Sequence, residues 1–117
     1  LRKIKDIIGS INLLIKKNYD SVWTVSKTDS KYHPLKQLLI TNNKLDYYSK
    51  KGSLVIARQQ LSDVYYRNSA AYVVKADFLR KNKKIIGKNS GAYIINNKQI
   101  SIDTIEDINE AKKLYKK

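Results

Sequence analysis

Apolar residues recur at three- and four-residue spacing at the start of the chain, at Ile4, Ile7, Ile8, Ile11, Leu14 and Ile15. That period predicts an amphipathic helix whose apolar side chains share one face, with Lys3, Lys5, Asp6, Lys16 and Lys17 elsewhere on the cylinder. Asn18 is placed to cap its C-terminus. The pattern then changes to the β-branched and aromatic run Ser21-Val22-Trp23-Thr24-Val25-Ser26, which predicts a strand. A helix followed directly by a strand is half of a βαβ unit.

Polar residues from Lys27 to Tyr32 predict a loop. Leu35 to Thr41 and Leu45 to Tyr48 predict two strands joined at Asn42-Asn43, because Asn tolerates the left-handed conformation of a tight hairpin turn. Ser49 to Ser53 reads as a mobile charged loop, and Leu54 to Leu61 shows no clear period. Ala70 to Val74 predicts a strand, Ala76 to Lys81 a short helical turn, Ala92 to Ile95 a strand, Asn96-Asn97 a turn and Ile100 to Ile102 a short strand. The last helix is marked best. Thr104-Ile105-Glu106-Asp107 matches a capping box, acids gather at its N-terminal end and Lys112, Lys113, Lys116 and Lys117 at its C-terminal end. Ile105, Ile108, Ala111, Leu114 and Tyr115 form its apolar stripe. Strands interleaved with helices predict an α/β layered domain.

The chain has 117 residues, enough for one domain, and 42% hydrophobic with 29% charged residues suits a globular chain rather than a disordered one. No apolar run is long enough to span a bilayer, so no membrane association is expected. Leu1 to Asp6 alternates charge with apolar side chains, unlike a secretory leader, and a cytoplasmic location is expected. With no cysteine there is no disulfide framework, thiolate nucleophile or cysteine-ligated zinc. One histidine, His33, argues against His-rich metal sites and against a Ser-His-Asp triad. Methionine is absent and Leu1 is not a small residue, so the sequence is expected to be the C-terminal part of a longer polypeptide.

Twenty-four basic against ten acidic residues give a net charge of +14, which invites a polyanionic partner. Only Arg2, Arg58, Arg67 and Arg80 are arginine, however, and abundant Lys, Ile, Asn and Tyr is what AT-rich codons produce. Solvated lysines are the ordinary account. Candidate chemistry lies in three places. Asp103 stands between a strand end and a helix start, where a carboxylate can hold magnesium; the ordinary alternative is a helix cap. Arg58-Gln59-Gln60 with Tyr65-Tyr66-Arg67-Asn68 is dense in hydrogen-bonding groups, against the alternative of a polar surface loop. His33-Pro34-Leu35-Lys36 reads as a turn. No Walker or Rossmann glycine loop is present.

Five segments in register carry a family resemblance. Leu1-Arg2, His33-Pro34-Leu35-Lys36, Arg58-Gln59-Gln60-Leu61, Asn68-Ser69-Ala70-Ala71-Tyr72 and Ile102-Asp103-Thr104 with Glu106-Asp107 resemble, in order and interval, the acylneuraminate cytidylyltransferases, or CMP-sialic acid synthetases. The resemblance covers essentially the whole chain. It implies an α/β fold: the C-terminal portion of a Rossmann-like nucleotidyltransferase mixed sheet with flanking helices and a protruding dimerisation hairpin. The arm corresponds to about residues 31–57 and implies a homodimer. The implied substrates are CTP and a nine-carbon acidic sugar, of the sialic or legionaminic type. The products are a CMP-sugar and pyrophosphate, and the cofactor is Mg2+. By carry-over, Asp103 matches a metal-binding catalytic acid. Lys36 and Arg58, with Gln59 beside it, match the sugar site reached across the dimer interface, and Asn68 and Tyr72 match residues lining the sugar pocket.

Two positions depart from the family pattern. Ser101 stands where an acid usually precedes Asp103, removing one negative ligand. Ser69 replaces a glycine, and serine strains the turn if that position needs a positive φ. Two other readings compete: a basic nucleic-acid-binding protein, and an inactive module that keeps only the dimer arm. Lysines scattered over every segment, and tyrosines in strand-like positions, count against nucleic acid as a partner.

Overall fold

In a computed structural model, which describes residues 2–54, 61–96 and 102–115, helix α1 spans Ile4–Lys17. It ends as its sequence predicts. Asn18 is left-handed (φ 53°, ψ 43°), and the Tyr19 N–H donates to the Leu14 carbonyl at 3.0 Å. The face that packs takes in only one edge of the predicted stripe, at Leu14 and Ile7. Asp6, Ser10 and Leu14, spaced four apart, are buried, whereas Ile4, Ile8, Ile11 and Ile15 are 39–75% exposed. Two contacts explain the rotation. A Cβ added at Gly9 would lie 2.6 Å from the Tyr93 ring, so any larger residue there would require the ring to shift. Asp6 is satisfied in its burial: the Tyr93 hydroxyl donates to its carboxylate at 3.4 Å and the Ser10 hydroxyl donates to its carbonyl at 2.7 Å.

Strand β1 (Ser21–Lys27) is the centre of a three-stranded sheet of order β4-β1-β5, with β4 at Tyr65–Val74 and β5 at Ser90–Ile94. The sheet is mixed. β5 runs parallel to β1 in the register Ser21–Ser90 to Val25–Ile94, and the hydroxyls of Ser21 and Ser90 bond at 2.7 Å. β4 runs the other way: the Lys75 N–H reaches the Asp20 carbonyl, while Ala71 lies against Thr24. The β4 strand begins five residues earlier than its apolar pattern predicts, taking in Tyr65 to Asn68, for which a polar surface loop is the alternative reading. Helices α2 (Ala76–Asn82) and α3 (Ile105–Tyr115) complete this unit, which comprises residues 1–26 and 67–117. Among the described residues its large buried apolar side chains are few, chiefly Leu14, Val22 and Ile95, and they share the interior with Ser21, Thr24 and Ser26. On α3, Ala111 is buried while Ile105, Ile108 and Leu114 stay exposed.

Lys27–Tyr66 forms a second unit. Its hairpin pairs β2 (Leu38–Thr41) with β3 (Lys44–Tyr47) through Asn42 (φ 51°) and Asn43 (φ 64°), two successive left-handed residues as a type I′ turn requires. The first strand starts three residues later than its apolar pattern predicts, because Pro34–Lys36 is a 3-10 turn. The expected mobile loop at Ser49 to Ser53 is also ordered, as a 3-10 turn over Lys50–Leu54. Its Gly52 is buried against the Leu35 carbonyl, an approach that leaves no room for a Cβ. The Tyr48 N–H donates to the Gln37 carbonyl, so Leu38–Tyr47 and Ile40–Leu45 are the close, non-hydrogen-bonded pairs. Those four side chains make one apolar face, and all four are exposed.

Among the described residues no helix is long and apolar enough to cross a membrane. Asn97, Ile100 and Ser101, which belong to the predicted turn and short strand, lie outside the described residues; Ile102 is described and is not in a strand.

Candidate functional site

β4 bulges around Ser69: between the Thr28–Val64 and Asp20–Lys75 bonds it runs eleven residues against eight on the β1 side. Ser69 has φ 62°, a left-handed conformation that a residue with a Cβ rarely adopts. The Asn68 side chain fills the gap this leaves in the ladder. Its Oδ1 accepts from the Thr24 hydroxyl at 2.7 Å and from the Ala70 N–H at 3.1 Å, and its Nδ2 donates to the Ser26 hydroxyl at 2.8 Å. Thr24 in turn accepts from the Ala71 N–H at 2.9 Å. Thr24 and Ser26 are buried, so each of these bonds satisfies a group that has no access to water.

Tyr72 follows on the same strand, 37% exposed. Its hydroxyl bonds that of Ser69 at 3.2 Å, and its ring meets Trp23 edge-on, centroids 5.0 Å apart and planes at 89°. Trp23 is itself held, its indole N–H donating to the Ile85 carbonyl at 2.9 Å. The Arg67 guanidinium lies 5.6 Å from the Trp23 ring centroid. Arg2 approaches the bulge from before α1: its Nε donates to the Ala70 carbonyl at 2.7 Å and its Nη2 to the Ser69 carbonyl at 3.4 Å. The site thus presents a phenol, a hydroxyl, an indole and two guanidinium groups on a braced strand.

The other predicted residues lie elsewhere. Asp103 precedes α3, where its N–H donates to Asp107 Oδ2 at 2.9 Å. Thr104 and Asp107 exchange the two bonds of a capping box: the Thr104 N–H to Asp107 Oδ2 at 3.0 Å, and the Asp107 N–H to the Thr104 hydroxyl oxygen at 3.2 Å. The Asp103 N–H, joined by the N–H and hydroxyl of Thr104, holds the Asp107 carboxyl below its ordinary value of 3.8, against an opposing desolvation. The capping role expected as the alternative for Asp103 is therefore carried by Thr104 and Asp107, with Asp103 adding its backbone N–H. Among the described residues no three His, Asp or Glu side chains gather as a metal site. Magnesium commonly takes one or two protein carboxylates and fills its shell with water and phosphate, so a single hard oxygen donor at Asp103 suits it.

Lys36 is exposed at the end of the Pro34–Lys36 turn, in the second unit. His33 shapes that turn. The Leu35 N–H donates to its Nδ1 at 3.1 Å, so the ring proton sits on Nε2, which donates to the Ser62 carbonyl at 3.1 Å. Buried and bonded at both nitrogens, His33 is a structural residue, in keeping with the turn its sequence predicts. Close by, Lys27 to Ser30, His33 and Leu61 to Val64 line an open cavity of about 600 Å³, with Lys27 and Asp63 paired at 3.2 Å. Arg58 and Gln59 lie outside the described residues.

The chain resembles a curated bacterial protein. It is 27% identical over 95 residues to the post-translational flagellin modification protein B of Campylobacter coli. That match takes in 81% of this chain and 39% of the relative, so the chain spans about two-fifths of the relative's length. No protein-family model matches.

Sequence reasoning placed Asn68 and Tyr72 together but gave no role to Trp23, Thr24, Ser26 or Arg2. Trp23 and Thr24 are adjacent in a strand, and alternation alone puts them on opposite faces. That β4 is the strand beside them is not written in β1.

Proposed function

We propose that this chain is the C-terminal part of a nucleotidyltransferase that transfers CMP from CTP to a nine-carbon acidic sugar, releasing pyrophosphate. The observation that carries this reading is the meeting of two motifs of the resemblance, Arg2 and Asn68 to Tyr72, at one strand bulge. In the reaction the anomeric hydroxyl oxygen bonds to the α-phosphorus, the bond from that phosphorus to the bridging oxygen breaks, and pyrophosphate leaves while the hydroxyl proton is lost. Such transfers need positioning and charge neutralisation more than covalent help from the protein. Tyr72 and the groups around it orient the polar sugar, Lys36, Arg58 and Gln59 meet it across a dimer interface, and Asp103 holds the metal. Magnesium, when bound, supplies positive charge to the phosphate oxygens and the leaving group.

The hairpin supports a homodimer. A two-stranded hairpin is marginal alone, and the exposed face of Leu38, Ile40, Leu45 and Tyr47 fits a second copy of itself. The exposed isoleucines of α1, in a unit with few large buried apolar side chains, fit a chain that is part of a larger layered domain. The relative's name concerns modification of flagellin after translation, and a CMP-activated acidic sugar is a donor suited to glycosylating a protein hydroxyl.

The test is pyrophosphate release from CTP and magnesium by the complete polypeptide, across a panel of nine-carbon acidic sugars. Sugar-dependent release is expected. Folded, dimeric protein that releases none with any sugar would overturn the reading.

A further inference from the structure

We propose that Arg2 is a positioning residue that clamps the Ser69 bulge and thereby fixes which face of β4 presents Tyr72. The proposal rests on the synthetase reading in taking Tyr72 to face the sugar. Its geometry stands apart from that reading.

A bulge inserts residues into one strand, and each inserted residue turns every later side chain to the opposite face. Tyr72 packs on Trp23 in the register that follows Ser69, whose φ is 62°. A residue with a Cβ disfavours that conformation, so something must hold it. Asn68 braces the bulge from β1, through Thr24 and Ser26. Arg2 braces it from the opposite end of the sequence. It reaches two successive carbonyls, Ala70 at 2.7 Å and Ser69 at 3.4 Å, and so bonds the peptide units on both sides of Ala70. A planar guanidinium spans two acceptors in this way, whereas a lysine ammonium offers one point of charge. If Ser69 relaxed to the extended region, both carbonyls would turn away and the Ser69–Tyr72 hydroxyl bond would be lost. Arg2 thus acts on the sugar through the strand, without touching it.

Arg2→Ala, Arg2→Lys, Ser69→Gly and the Arg2→Ala/Ser69→Gly double variant test this in the complete polypeptide. Arg2→Ala is expected to raise KM for the acidic sugar about tenfold, the worth of one charge-assisted hydrogen bond, with KM for CTP unchanged. Arg2→Lys should recover part of the loss. Ser69→Gly should recover most of it, because glycine holds a positive φ without a clamp. If Arg2→Ala does not fold, Arg2→Lys carries the same comparison. A rise in KM for CTP instead, as from a guanidinium on the triphosphate, would overturn the proposal, as would a silent Arg2→Ala or an absence of rescue by Ser69→Gly. If the unmodified polypeptide uses no acidic sugar, the synthetase reading fails, and thermal unfolding then tests the clamp alone. Ser69→Gly that shrinks the destabilisation by Arg2→Ala upholds the clamp, and strict additivity removes it.

Discussion

Thr24 donates its hydroxyl proton to Asn68 Oδ1 at 2.7 Å, joining the buried centre of β1 to the bulge in β4. Asn68 is half-buried, and Oδ1 also takes the Ala70 N–H while Nδ2 serves Ser26. The sugar-pocket residue implied by the resemblance is thus first a structural plug, with a single amide hydrogen left for anything else. Removing it takes the acceptor from the Ala70 N–H and one partner from each buried hydroxyl, although Thr24 can still donate to the Ala71 carbonyl at 3.1 Å and Ser26 to the Ile95 carbonyl at 3.3 Å.

Asn68→Ala is expected to destabilise the fold by about 1–2 kcal/mol, the cost of leaving the Ala70 N–H unmet and of losing one bond at each hydroxyl. Denaturant unfolding measures this. A loss below about 0.5 kcal/mol, the level of an ordinary surface change, would show that water replaces the amide without cost.

The hairpin face gives a prediction about assembly. Ile40 and Leu45 oppose each other at the centre of the exposed apolar face. Ile40→Lys is expected to convert a dimer to monomers and leave the fold intact, because a charge there meets its own copy across a two-fold axis. Light scattering after size exclusion reads the mass directly. A dimer that survives the substitution would place the interface elsewhere.

The N-terminus of α3 carries a pH dependence. The folded value of Asp107 is lowered, so its contribution is present above the ordinary carboxyl value of 3.8 and is lost as pH falls through the lower folded value. Amide exchange at the start of α3 should quicken over that acid interval. Asp107→Asn should flatten the dependence, since the amide has no charge to lose. An unchanged profile in the variant would assign the effect to another acid.

Asp103→Asn isolates charge from architecture. The backbone N–H that bonds Asp107 remains, so the helix cap is retained. Turnover of CTP is expected to fall by about a hundredfold or more, as for loss of a group that places positive charge on the reacting phosphates. Turnover within twofold of the unmodified protein, with the helix intact, would remove Asp103 from the metal role.

Local features were legible in the residues themselves. The α1 period, its Asn18 cap, the Asn42-Asn43 turn and the Thr104–Asp107 box all depend on groups within a few residues of one another. Spacing and side-chain chemistry decide such features, so a sequence specifies them before anything packs. At Ser69 the residues raised only the condition, strain if the turn needs a positive φ, and the structure supplies that φ at 62°.

Tertiary structure alone decided the rest. The isoleucine period of α1 marks an apolar face but cannot say which neighbour covers it; the close approach of Gly9 to Tyr93 turned Asp6 and Ser10 inward instead. Asn68 meets Thr24 across 44 positions and Arg2 meets Ala70 across 68. Pairings at such distances are set by strand order and by the bulge, and no local pattern encodes them. The sequence by itself determined the elements, their caps and the residues capable of chemistry. Which of those residues brace the strand, and which remain to face a ligand, follows from the burial that only packing creates.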